Sequence, residues 1–149
     1  MNSKFLAFFL FIFSFTSTSF AKHFKQENSD RKEIVCEPIE ISHGRWTYDS
    51  WNCTINSAKE FRNIVGGRSG IDFTKYTLLG IVSSAGGCKS PTVNHTVFYT
   101  QSKNSYQYEL AVQENGGCEI NFHFEIWCLI PKINNTSKIE FFKTLTTKP

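Results

Sequence analysis

Five cysteines (Cys36, Cys53, Cys88, Cys118, Cys128) and four histidines (His23, His43, His95, His123) are the side chains best suited to chemistry in this chain. Thiolate and imidazole can hold zinc, run thiol–disulfide exchange or activate a nucleophile. The spacing supports none of these. No C-x-x-C occurs, so neither a zinc ribbon nor a thioredoxin-type site is indicated. His123 and Glu125 share one face of a strand pattern, but no third ligand accompanies them. The nucleophile-elbow pattern G-x-S-x-G is absent. The GGRSG of Gly66 to Gly70 follows a helix pattern and lacks the Gly-Lys-Ser/Thr ending of a phosphate loop. Glu109, Glu114, Glu119 and Glu125 fall at outward strand positions, which is ordinary for a solvated sheet. We assign no catalytic, cofactor-binding or metal-binding residue from the sequence. A small hydrolase would require a pocket that brings His95, His123 or Cys128 beside a nucleophile or base.

The cysteines read more naturally as cross-links. Residues 1–21 have a short positive start, an apolar run from Phe5 to Phe15, and Ser19-Phe20-Ala21 with small residues at −3 and −1. This is the pattern of a secretory signal cleaved after Ala21. The run is shorter than the roughly 20 apolar residues that span a bilayer. Export to the periplasm or the outside implies an oxidising compartment, where disulfides are the default. Cys88 and Cys118 each follow Gly-Gly at a strand end, so we expect them to pair. Cys36–Cys53 is the second expected pair. Cys128, on the apolar face of its strand, would be a buried free thiol. Loss of Lys4 with the leader takes one from 16 basic side chains against 13 acidic, leaving a net charge of +2. That is too small to argue for nucleic acid or an anionic membrane. No second apolar run of spanning length follows.

The elements that must position these residues can be read in order. Residues 22–33 form a polar, charged arm. One domain spans 34–145, with a loose tail at 146–149. Ile34 to Ile41 starts the fold, and Pro38, which removes a ladder donor, makes this strand an edge or splits it. His43-Gly44 is a turn. Arg45 to Cys53 carries Trp46, Tyr48 and Trp51; it reads as a half-buried strand, and if displayed it would be a binding surface. Residues 57–65 read as a helix. Ser57 is the cap, Glu60 lies at the capping-box spacing, and Ala58, Phe61, Ile64 and Val65 fall on one face. Gly66-Gly67 ends it.

Lys75 to Ser84 is apolar on both faces, as in an interior strand. Val93 to Thr100 is a strand, Gln101 to Ser105 a hairpin loop, and Tyr106 to Gln113 an alternating strand. Asn115-Gly116-Gly117 reads as a turn. Glu119 to Ile130 is a long strand with Ile120, Phe122, Phe124, Ile126, Cys128 and Ile130 on one face. His123, Glu125 and Trp127 take the other. These last three strands are expected to form an antiparallel meander, with a final strand at Lys138 to Leu145. The fold class is therefore α+β, mostly antiparallel β (a meander sheet or small sandwich) with one helix.

The run from the helix onward resembles a group of small exported and lipoprotein domains from Bacteroidota. The residues that carry this are Asp72-Phe73-Thr74-Lys75-Tyr76 with Leu78 and Gly80, then Gly87-Cys88, Tyr106 and Tyr108, Gly117-Cys118, and Trp127 with Pro131-Lys132. More remotely the run is similar to the C-terminal domain of PrcB-type proteins, which are associated with stabilising a secreted protease complex. That family has Gly-Gly-Tyr where this chain has Gly86-Gly87-Cys88. The resemblance implies an accessory role toward another secreted or envelope protein. We therefore expect an exported, non-enzymatic binding or accessory protein, with a secreted protease inhibitor as the alternative. The expected binding surface is Trp46, Tyr48 and Trp51 together with the face bearing His123, Glu125 and Trp127.

Overall fold

The computed structural model describes residues 30–41 and 50–148. The leader, residues 22–29 of the arm, the His43-Gly44 turn, Trp46 and Tyr48 lie outside the described residues. The described chain is mostly antiparallel β with one short helix. Its elements are β1 (Arg31–Ile34), β2 (Glu37–Pro38), β3 (Trp51–Ile55), α1 (Ala58–Ile64), β4 (Tyr76–Thr100), β5 (Ser105–Pro131) and β6 (Lys138–Lys148). The strand pairing starts at Arg31, inside the expected arm, because Arg31 to Ile34 pair with Val97 to Thr100. It runs to Lys148, through the expected loose tail, because Gln113 to Asn115 pair with Thr146 to Lys148.

One hairpin dominates. β4 and β5 pair antiparallel from Tyr76↔Pro131 to Thr100↔Ser105, closed by a turn in which Asn104 takes φ +45°. The expected meander is corrected here. Glu119 to Ile130 pairs with the first half of β4, not with Tyr106 to Gln113. The two Gly-Gly-Cys segments do not turn the chain back. They face each other across the hairpin as a bulge, with the register shifting between Gly86 and Thr92. Gly87 at φ +141° and Gly116 at φ +84° supply conformations that side chains resist. A bulge bends a strand and increases its twist.

The bend is what makes the fold. β5 has 27 residues, and straight it would be roughly 90 Å long at ~3.3 Å per residue. Yet β6, after the short connection 132–137, pairs parallel with the beginning of β5, Ser105↔Lys138 to Asn115↔Lys148. A connection of that length reaches only about 25 Å. The hairpin must therefore fold over on itself at the bulge. One core cluster confirms it: Leu79, Ile81, Cys128 and Ile130 of the first half pack with Val97, Tyr108, Leu110 and Val112 of the second. β1 pairs with the second half of β4, while β2 pairs with Cys128 and Leu129 of β5. The two residues between them carry the chain from one half of the sheet to the other.

The first half is covered on both faces, as the apolar run over Lys75 to Ser84 implies. Leu79 and Ile81 look into the folded hairpin. Leu78 looks out to a second cluster with Ile55, Phe61, Val65 and Trp127. α1 belongs to that cluster. Ser57 Oγ accepts from Glu60 N at 3.2 Å, and Glu60 Oε2 accepts from Asn56 N at 2.6 Å. Only Phe61 and Val65 of the expected apolar face are buried; Ala58 is exposed and Ile64 is 43% exposed. Buried Thr77 ties the far end. Its hydroxyl donates to Asn56 Oδ1 at 2.6 Å and accepts from Ile133 N at 3.2 Å.

Candidate functional site

Two places stand out: a sulfur cluster inside the fold and an open edge on its surface. Cys88 pairs with Cys118, as expected from the paired Gly-Gly-Cys segments. The second expected pairing is corrected. Cys36 pairs with Cys128 across 92 residues of sequence, and Cys53 is the free thiol. The physical reason is the β1–β2 link, which runs beside β5 and sets Cys36 over Cys128, with their Cα atoms 5.4 Å apart. Cys53 lies on β3 opposite Gly80, on the other side of the sheet. Burial pushes its thiol up to about 12, against a smaller lowering effect from the Gly80 backbone.

That value makes Cys53 a poor nucleophile. Three decades above its ordinary value of 9.0, it holds about a thousandth of the usual thiolate. Higher intrinsic nucleophilicity offsets roughly half of that on a logarithmic scale. Iodoacetamide should therefore label native Cys53 at pH 8 at least ~30-fold more slowly than the same residue in the unfolded chain. The rate should climb about tenfold per pH unit toward pH 11. Labelling at the unfolded rate would show that Cys53 is not held in this environment.

His95 joins the second disulfide. Its Nδ1 lies 3.7 Å from Cys36 Sγ and 3.1 Å from the Tyr108 hydroxyl. Burial lowers the His95 pKa, favouring neutral imidazole, and raises that of Tyr108, favouring neutral phenol. His123 is far along the sheet, paired with Ser84 and exposed. Thus the structure brings together His95 and Cys128 but not His123. Cys128 carries no thiol while it is paired with Cys36. The cluster was missed in the sequence because its members come from the β1–β2 link, β4 and β5, far apart in the chain, with no local spacing to mark them.

The expected outward face is corrected at Trp127, which is 5% exposed. It fills the space over Gly80, donates Nε1–H to Glu125 Oε2 at 3.1 Å, and meets Trp51 edge-on at 5.7 Å. Glu125 is half-buried and His123 exposed.

The open edge lies between β3 and β6. β3 pairs only with β4, and β6 only with β5, among the described residues. Folding the hairpin brings these two edges to the same side. Between them runs a groove of about 130 Å³ lined by Trp51, Ile81, Ser83, Leu110, Phe141 and Phe142, among others. Lys143 reaches across it, donating to Ser83 Oγ at 2.8 Å and to the Ser84 carbonyl at 2.9 Å. Beside it, Phe142 is 46% exposed and Leu145 51%. No described helix is long and apolar enough to cross a membrane. The two disulfides fit an extracellular setting. No family model, no curated protein and no solved structure matches this chain.

Proposed function

We propose that this chain is an exported, non-enzymatic accessory protein that binds an extended segment of another exported protein along the outer edge of β6. The observation that carries the reading is the edge itself. β6 is 11 residues long, contains no proline, and has no strand on its outer side among the described residues. Proteins usually blunt such an edge, because its unpaired N–H and C=O groups are a template for another strand. Strand addition uses those groups for affinity and neighbouring pockets for alternate side chains. The groove with Trp51, Phe141 and Phe142 offers such a pocket.

Charge selects the occupant. Antiparallel self-pairing over the whole of β6 would set Lys138 against Lys148 and Lys143 against its own copy. Like charges directly opposite destabilise a sheet. A neutral or acidic extended segment meets no such penalty. The likeness to a domain that stabilises a secreted protease complex agrees with an accessory role.

The test is affinity capture from the exported fraction with the wild type, Thr144→Pro and Leu145→Pro. Neighbouring residues point their N–H groups to opposite sides of a strand, so one of the two prolines blocks the outer edge. Disulfide mapping and circular dichroism check that each variant is folded. A partner retained by the wild type and lost with the outward proline supports the reading. Equal capture by all three would overturn it. A captured protease that loses activity on binding would make the edge an inhibitory one.

A further inference from the structure

The geometry points to a metal site hidden in the Cys36–Cys128 pair: once that disulfide is reduced, Cys36, Cys128 and His95 bind a soft d10 cation, Cu(I) foremost. The ligand atoms of these three residues lie within 4.8 Å of one another. They come from the β1–β2 link, the second half of β4 and the end of β5, so the folded hairpin holds them together without help from local sequence. Tyr108 is fully buried and sits 3.1 Å from His95 Nδ1. A phenol donating there keeps Nδ1 unprotonated, and the cation must displace that hydrogen bond to take the Nδ1 lone pair, which lies 3.7 Å from Cys36 Sγ. Neutral imidazole and thiolate are the ligating forms.

The donor count selects the ion. Thiolate ligands favour Cu(I) and zinc over harder cations. Zinc takes four ligands in closed sites, and the group among the described residues has three, Cys36, His95 and Cys128. Two sulfurs and one nitrogen suffice for three-coordinate Cu(I).

The chemistry needs a dithiol reductant, either a small dithiol or a thiol–disulfide oxidoreductase. Its thiolate attacks Cys36 Sγ, the less buried sulfur, forming a mixed disulfide. The Cys36–Cys128 bond breaks and Cys128 leaves as thiolate, which takes up a proton. The second thiol of the reductant then attacks the mixed disulfide and releases Cys36. The reductant is oxidised to its own disulfide by loss of two electrons, and Cys36 and Cys128 are thiols. Binding the cation then releases the two thiol protons.

The test uses the full exported chain carrying Cys53→Ser, Cys88→Ala and Cys118→Ala, so that neither the free thiol nor the exposed second disulfide, which phosphine also opens, adds a ligand. Oxidised and phosphine-reduced protein are titrated with Cu(I) against a chromogenic Cu(I) chelator, and separately with Zn2+. Further arms carry Cys36→Ser, His95→Gln or Tyr108→Phe. We expect one Cu(I) per reduced chain and none per oxidised chain. Affinity should fall at least about tenfold in Cys36→Ser and in His95→Gln, and should not fall in Tyr108→Phe, where no phenol competes for His95 Nδ1. X-ray absorption should find two sulfurs and one nitrogen around the metal. Zinc bound instead, with the same dependence on Cys36 and His95, keeps the site and changes the ion. Uptake unchanged in both variants, or a reduced chain that stays unfolded and takes up neither ion, overturns the proposal.

Discussion

Gly80→Ala should destabilise the protein by about 2–3 kcal/mol, a large effect for a single methyl group. A Cβ at this position would lie 2.2 Å from Trp127 Cζ3 and 2.6 Å from Cε3. Gly80 and Trp127 are register partners on the central strands, so the indole lies across the glycine as across an empty seat. The ring cannot swing away cheaply. Trp51 meets it edge-on, and Glu125 holds its Nε1–H. The same contact should show as coupling. Trp127→Ala alone should cost about 3–5 kcal/mol. The double variant should cost less than the sum by at least about 1 kcal/mol, since the methyl then enters space the indole has left. Chemical denaturation of the four proteins measures this. Additive costs would mean that the two positions do not compete for one volume.

Removing the Cys36–Cys128 bond, as Cys36→Ser with Cys128→Ala, should cost roughly 4–5 kcal/mol on the chain-entropy model, given its 92-residue separation. The Cys88–Cys118 bond closes a loop of 30 and should contribute about 1 kcal/mol less. Total stabilities of such domains are about 5–15 kcal/mol, so the first loss is a large share of the whole. The two bonds should also differ in where they act. Cys88–Cys118 pins the bulge within a hairpin already joined by its ladder. Cys36–Cys128 fastens the link by which the chain crosses from one half of the sheet to the other. Its loss should free the amides of β1 and β2 to exchange first, while the β4–β5 ladder stays protected. Uniform loss of protection across all strands would show that the link is not a separate unit.

These two expectations mark the limits of what the sequence displayed. Period-two alternation marked Tyr106 to Gln113 and Glu119 to Ile130, a run apolar on both faces marked Lys75 to Ser84, and Ser57, Glu60 and Gly66-Gly67 bracketed the helix. The bend was not legible. Gly-Gly-Cys is as suitable for a turn as for a bulge, and only the partner strand decides between them. Once the hairpin folds over, β6 can lie parallel to β5 and Cys36 can meet Cys128; neither follows from local pattern. Trp127 was misplaced for a related reason. Alternation assigns a residue to one of two faces, and it marks one of them as outside only if a single face is covered. Here both are. The sign of this was Gly80, a strand residue without a side chain, whose space a large neighbour could claim.

In the proposed function the β6 edge receives an extended segment of another exported protein. The most direct measurement is photo-crosslinking in the native exported fraction, with a photoreactive phenylalanine analogue placed singly at Phe142, Leu145 or Ile120. Ile120 is 52% exposed and lies on β5 beyond Ser105 to Asn115, the residues that pair with β6, so it serves as the control. One discrete partner should be cross-linked from positions 142 and 145, at adjacent sites of a single extended stretch, and none from 120. Cross-links only to a second copy of this chain, or equal labelling from all three positions, would contradict it.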